Sequence, residues 1–512
     1  MSSGAAHFAV LHHLPVLIVI VPLIGALITA FFRKGSIAWA FATLITWSAL
    51  AMAVMLLWQV TAAAKPISYH LGGWPPPIGI EYRVDALNVF ILLLVSGVAS
   101  LIMVYARRSV ASEIDQDKQA WFYTVYLLCL TGLLGMSVTG DAFNVFVFME
   151  IASLSSYILI ALGTDRRALL AAYQYLIMGT IGATFYVIGV GLLYVVTGTL
   201  NMADMAARIG PAMATQSHPI MAALAFLVVG ISLKLALFPL HLWLPNAYAF
   251  APSSATAFLA ATATKVAVYI LIRVYFTIFG TAINISTLPI SDVLLILSVT
   301  AMFVASILAF YEDSIERMLA YSSIAQIGYI TLGIAIANQA GLTGSIVHLF
   351  NHAITKATLF MATGAIVYRL GTSRASELSG IGRKMPITLG MFVIAGLSII
   401  GIPGTAGFIS KWQLAVGAVD KGWWPLVFLL VASSLIALLY IGKVVEVAYF
   451  REPSPELADA RDPPLSMLAP IIILGAATIY FGSSTTWSVG LAGKAAHVLI
   501  GGLTHVLIGG LR

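Results

Sequence analysis

Apolar runs of about twenty residues, closed off by charge, Pro or Gly, repeat from Leu14 to Phe481. A bilayer-spanning helix needs a run of that length, so the pattern predicts membrane helices rather than the amphipathic helices of a soluble fold. Fourteen such segments are expected: Leu14–Phe32, Ile37–Val60, Ala86–Tyr105, Trp121–Val138, Ala142–Leu162, Ala168–Val196 and Pro219–Phe238 in the first half. Ser253–Phe276, Pro289–Phe310, Ile315–Ala337, Leu342–Tyr368, Pro386–Val416, Trp423–Val447 and Pro464–Phe481 follow. The first lacks a basic leader and a small-residue cleavage site and is read as a retained helix. Between the second and third segments, YHLGGWPPPIGIEYRVD reads as a short hairpin rich in turn residues. The fold class expected is an all-α polytopic membrane protein.

Charge gives this ladder an orientation. Fifteen Lys and Arg, among them Arg33, Arg107, Arg166, Arg317, Arg383 and Arg451, fall in loops on one side; Lys65, Arg83, Arg208, Arg273, Lys421, Lys494 and Arg512 fall on the other. The positive-inside rule makes the first side cytoplasmic and leaves both termini outside, as expected for a multi-pass protein of a cell (plasma) membrane. The net charge of +6 over 512 residues then reflects topology rather than an acidic partner. With 60% hydrophobic and 9% charged residues, a soluble enzyme or nucleic-acid binder is excluded. A single Cys, Cys129, rules out an internal disulfide and a thiolate metal cluster. No P-loop, dinucleotide fingerprint or nucleophile elbow stands in a credible setting, so neither a cofactor nor enzyme chemistry is expected.

The remaining charges carry the candidate chemistry. Lys234, Lys265, Lys356 and Lys411 lie inside spans, and Glu150 in NVFVFMEIASLSSY is the one carboxylate well inside. An ionisable group at membrane depth costs several kcal/mol unless it lines a polar cavity, so each is a functional candidate; the bland alternatives are snorkelling or a static ion pair. Pro239 and Pro245 interrupt the helix after Lys234, and Gly401, Pro403, Gly404 and Gly407 interrupt the one before Lys411. Broken helices free carbonyls that hydrocarbon cannot satisfy and usually line an aqueous path, although a packing kink is the simpler reading of either break alone. In HLFNHAITKATLF, His348, His352 and Lys356 recur every fourth residue on one helix face. HxxxH without a neighbouring carboxylate or thiolate is a poor metal site, and the stripe suits a proton relay better.

Taken together, FNVFVFMEIASLSSYILIAL, FPLHLWLP, EDSIERMLAYSSIAQIGYI, HLFNHAITKATLF and GIPGTAGFISKW resemble the antiporter-like membrane subunits shared by Mrp-type cation/proton antiporters, respiratory complex I and membrane-bound hydrogenases. The resemblance covers roughly residues 121–450. It implies two inverted five-helix repeats, each with a broken helix, at 121–280 and 286–450, between an N-terminal unit, 1–120, and a C-terminal helix and tail, 451–512. It also implies roles: Glu150 pairing with Lys234, Lys265 as connector, His348, His352 and Lys356 as central relay, and Lys411 as terminal group. Within that family the chain looks most like the D-type Mrp subunit, a proton-translocating member of a hetero-oligomeric Na⁺/H⁺ antiporter; a subunit of complex I or a hydrogenase is the alternative. Expected partners are other membrane subunits, protons, monovalent cations and lipid. The terminal echo HVLIGGLT and HVLIGGLR, starting at His497 and His505, has no assignable role.

Overall fold

The computed structural model describes residues 11–63, 65–280, 289–453, 457 and 460–509, with only the backbone of 289 and 502–509. The chain is a mostly helical membrane bundle. Its helices are α1 Leu14–Thr29, α2 Gly35–Ala63, α3 Ala86–Glu113, α4 Gln119–Val138, α5 Ala142–Ala161, α6 Arg167–Thr197, α7 Met202–Leu235 and the short α8 Leu244–Phe250. Then come α9 Ser253–Ile272, α10 Pro289–Tyr311, α11 Ile315–Ile336, α12 Gln339–Leu370, α13 Pro386–Ile400, α14 Ala406–Asp420, α15 Trp424–Val445, α16 Leu465–Ser483 and α17 Thr486–Gly509. Each predicted segment falls on one of these, except Pro386–Val416, which covers both α13 and α14. Against the fourteen spans expected, eleven helices among the described residues are long and apolar enough to cross a membrane, and Leu14–Thr29 and Pro386–Ile400 are apolar but shorter.

The predicted hairpin is present: β1, Ile67–His70, pairs antiparallel with β2, Glu81–Val84, in the register Ile67↔Val84 to His70↔Glu81. One boundary moves. The seventh segment was expected to start at Pro219 but begins at Met202, because the Asn201 side chain accepts from the N–H groups of Ala203 and Asp204 and caps the helix there. Helicity then continues through Pro219, with a kink at Gln216. The second half of the terminal echo, including His505 and Arg512, lies outside the residues whose side chains are described.

Burial sorts the helices into centre and rim. The apolar stretches of α9 and α11 are 94% buried within the protein, whereas those of α2 and α15 are 28% and 33% buried. α12 is buried without interruption from Gly341 to Ile366. α9 and α12, which carry Lys265, His348, His352 and Lys356, are thus among the helices shielded from lipid, where polar groups are tolerated.

Arg273, counted on the outer side at the end of the eighth expected segment, is buried where α9 passes into a π-helical turn, Arg273–Ile278. Its guanidinium donates to Asp85 Oδ1 and Asn88 Oδ1, each at 2.6 Å, and its Nε donates to the Tyr269 hydroxyl. The last apolar residues of a span give no sign of such a partner 188 positions away.

Candidate functional site

α7 stops one residue after Lys234. Ala236 takes a left-handed conformation (φ 60°), and the chain does not become helical again until α8. Pro239 and Pro245 cannot donate to a helical ladder, so nearby carbonyls find other donors. The Leu237 N–H reaches Ser232 O at 3.0 Å, and the Trp243 indole N–H reaches Leu233 O at 3.0 Å. Tyr175 stacks on Trp243 at 3.8 Å and holds the turn in place. At this break the Lys234 ammonium donates to Ser153 Oγ at 2.6 Å, and Glu150 Oε1 lies 3.9 Å away. Glu150 and Ser153 share a face of α5 because they are three residues apart. Glu150 Oε1 is buried and has no hydrogen-bond partner in the protein, so the ion pair is loosely engaged. Beside it, Ser153, Ser156, Tyr175 and Lys234 line a cavity of about 30 Å³ whose far wall is Ala263 and Ala267 of α9. That is room for a water or two, since one needs about 10–15 Å³.

Past that wall, α9 and α12 carry the central row. Lys265 is buried and donates to Ala260 O, one turn back along its own helix. α9 packs directly against α12, the helix of His348, His352 and Lys356. Lys356 donates to Leu319 O at 2.8 Å. The His348 and His352 rings lie 6.2 Å apart, 21° from parallel. His348 is engaged at both nitrogens, by Ser410 Oγ at 2.8 Å and Gln326 Oε1 at 2.9 Å, whereas neither nitrogen of His352 has a protein partner. Buried imidazoles of the second kind are ordinarily satisfied by water, which suits proton exchange.

The second break lies at the far end of the row. α13 ends at Ile400, Gly401 turns left-handed (φ 92°), and α14 starts at Ala406. A Cβ on Gly401 would stand 2.9 Å from Lys411 Cδ, so the absent side chain makes room for the lysine. Lys411 donates to Ile399 O, Ile400 O and Ser434 Oγ at 2.9, 3.0 and 2.8 Å. Its ammonium also sits 4.3 Å from the centre of the Tyr329 ring, which in turn lies 5.6 Å from His348.

The predicted residues therefore form two groups, Glu150 with Lys234 and then Lys265 through Lys411, joined across the Ala263 and Ala267 face of α9. Several polar partners went unread in the sequence. Ser153 and Ser410 had a local signal, standing three residues from Glu150 and next to Lys411. Gln326 is a lone amide within the apolar run SSIAQIGYI. Ser434 and Tyr329 had no signal, because serines and tyrosines are common in membrane helices.

Residues 139–437 match the family described as NADH:quinone oxidoreductase/Mrp antiporter, transmembrane. The chain belongs to this family. Among curated relatives it is 41% identical to NADH-quinone oxidoreductase subunit N of Desulforudis audaxviator, over 92% of this chain and 95% of that one. It is 29% identical to the D-type subunit of the Na(+)/H(+) antiporter of Bacillus subtilis, over 95% and 97%. Two solved structures superpose closely. A chain of the Mrp complex from Dietzia sp. has a TM-score of 0.87 at 26% identity, covering 97% of this chain and 99% of that one. A chain of the membrane-bound sulfane sulfur reductase, an archaeal respiratory membrane complex, has a TM-score of 0.88 at 30% identity, covering 96% and 99%. The structural neighbours are thus members of multisubunit membrane complexes.

Proposed function

We propose that this chain is a proton-translocating subunit of a multisubunit monovalent cation/proton antiporter, with protons relayed along Glu150, Lys234, Lys265, His348, His352, Lys356 and Lys411. The observation that carries this reading is the buried Lys234 with a carboxylate 3.9 Å away that is not hydrogen-bonded to it. Burial favours the neutral amine and a nearby carboxylate favours the ammonium, so a small change in their separation switches Lys234 between releasing and holding a proton. Charged lysines repel Na⁺, so this subunit carries protons and the cation path belongs to a partner. On this reading the residues fall into two inverted halves, 121–280 and 286–450, in a plasma membrane with both termini outside. The test is coupled flux by the assembled complex in proteoliposomes under Na⁺, K⁺ and Li⁺ gradients. Glu150→Ala and Lys234→Ala are expected to abolish it, and normal coupled flux in both would defeat the proposal.

The 41% relative named as an oxidoreductase subunit favours a second reading, in which the same relay serves a redox-driven complex. Purification of the chain with its native partners separates the two: iron–sulfur subunits in the complex support the second, and antiporter subunits alone support the first.

A further inference from the structure

At the end of the bundle where α3, α9, α11 and α12 meet, a cavity of about 690 Å³ opens. Five carboxylates line it, Glu113, Asp165, Glu312, Asp313 and Glu316, against three guanidiniums, Arg167, Arg317 and Arg374. Arg167 pairs with Asp165 at 2.5 Å and Arg317 with Glu312 at 3.2 Å. Glu113 and Glu316, by contrast, form no ion pair among the described residues and are held by neutral donors. Glu113 accepts from Ser109 Oγ and the Ser253 N–H, both at 2.7 Å, and Glu316 accepts from Ser373 Oγ at 2.9 Å.

Behind Glu113 the polar path continues inward. Ser109 and Tyr105 follow it at successive four-residue steps on one face of α3. The Tyr105 hydroxyl is fully buried without a partner and lies behind Ser253, which lines the cavity: it and Ser253 Cβ both lie within 2.6 Å of the point where a Cβ on Gly364 would stand. The neighbouring Ser254 hydroxyl is likewise buried and unpartnered.

Lys356, Phe360 and Gly364 occupy one face of α12 at the same spacing, so Gly364, beside the cavity-lining Ser253, is two turns from Lys356. Phe360 stands between, its ring 5.9 Å from the Lys356 ammonium and 5.8 Å from Tyr248. Both central lysines are turned toward this end of the bundle. Lys356 bonds to Leu319, one turn beyond Glu316 on α11, and Lys265 bonds back toward the start of α9 at Ser253.

Resting on the relay proposed above, we infer that this vestibule is a proton inlet serving Lys356 directly, independent of the Glu150–Lys234 pair, and that Phe360 is its gate. A proton from hydronium adds to the Glu113 or Glu316 carboxylate. It passes along the Tyr105 hydroxyl, which gives up its own proton as it takes the incoming one, and ends on the neutral amine of Lys356. The excess of carboxylates concentrates cations at the mouth, an effect worth on the order of 10- to 1,000-fold in encounter rate.

The test uses the complete complex in membrane vesicles with the vestibule side outward. Since Cys129 is the one cysteine of this chain, Cys129→Ala removes the chain's own background for a charged, membrane-impermeant methanethiosulfonate, and the same complex without an introduced cysteine gives that of the other subunits. Ser254→Cys and Tyr105→Cys are expected to react much faster than Ser345→Cys, which is buried on the α12 turn remote from the vestibule. Lys356→Cys is expected to stay protected with Phe360 present and to become reactive in Phe360→Ala. Proton uptake in Glu113→Gln/Glu316→Gln is expected to fall roughly tenfold or more. Reaction of Ser254→Cys and Tyr105→Cys no faster than the Ser345→Cys control, or full uptake in the double variant, overturns the inlet. Failure of the relay is distinguishable: normal flux in Glu150→Ala and Lys234→Ala together with the expected cysteine pattern removes the relay and leaves the inlet standing.

Discussion

At the first break Lys234 meets a carboxylate at 3.9 Å and a serine hydroxyl; at the second, Lys411 meets two helix-end carbonyls, another serine hydroxyl and a tyrosine face. The second set is built from fixed dipoles. The C-terminus of α13 presents about half a negative charge to the ammonium, and that charge neither titrates nor moves independently of the backbone. Glu150 instead carries its carboxyl on a flexible side chain whose Oε1 has no competing bond in the protein. In the proposed relay, two lysines beside similar interruptions would therefore differ: a movable carboxyl faces Lys234, and fixed dipoles face Lys411.

The largest expected effect breaks this contrast directly. Glu150→Gln removes the switching charge while keeping the shape, and coupled proton flux should fall by at least about a hundredfold, the order of a lost acid–base group. Ser434→Ala removes one of several fixed partners of Lys411, and its flux should fall far less. Equal losses in the two variants would erase the distinction.

Next come the breaks themselves. Gly401→Ala forces a side chain into left-handed backbone and against Lys411, so thermal unfolding of the detergent-solubilised complex should show a loss of about 1–3 kcal/mol. Ala236 already occupies the left-handed region at the first break, and Ala236→Gly should be neutral or stabilising by up to about 1 kcal/mol. Opposite signs are the signature sought.

The smallest effect concerns an ion pair outside both breaks. Burial alone would raise the Asp85 carboxyl, but the charge of Arg273, its hydrogen bond and the N–H groups of Asn88 and Leu87 outweigh burial and hold it below the usual value. A carboxylate depressed in the folded state contributes fully above its unfolded value of about 3.9, and the contribution fades as pH falls through the lower folded value. Asp85→Asn should therefore lower the melting temperature by a constant amount from pH 7 to 5, with the gap narrowing below about pH 4. The flux–pH profile should stay unchanged near neutrality.

The positions of the helices, the hairpin, both interruptions and the buried lysines were legible in the chain, because each depends on neighbours within a turn or two: apolar run length, Pro and Gly as breakers, charge where none belongs. Roles for those lysines came from resemblance rather than spacing. The burial of Arg273 was missed because its partner Asp85 arrives from another helix, and a charge near a span end reads as a loop residue.

Sequence alone determined that this protein is a membrane bundle and which ionisable groups lie at depth, since hydrocarbon penalises charge whatever the packing. Only the tertiary structure decided what each group faces. A lysine side chain can turn several ångströms either way along its helix, and α5, α11, α13 and α15 supply the Glu150, Leu319, Ile399, Ile400 and Ser434 atoms that select one direction. The vestibule belongs to that second kind of information, because its walls come from segments far apart in the chain and none is unusual by itself.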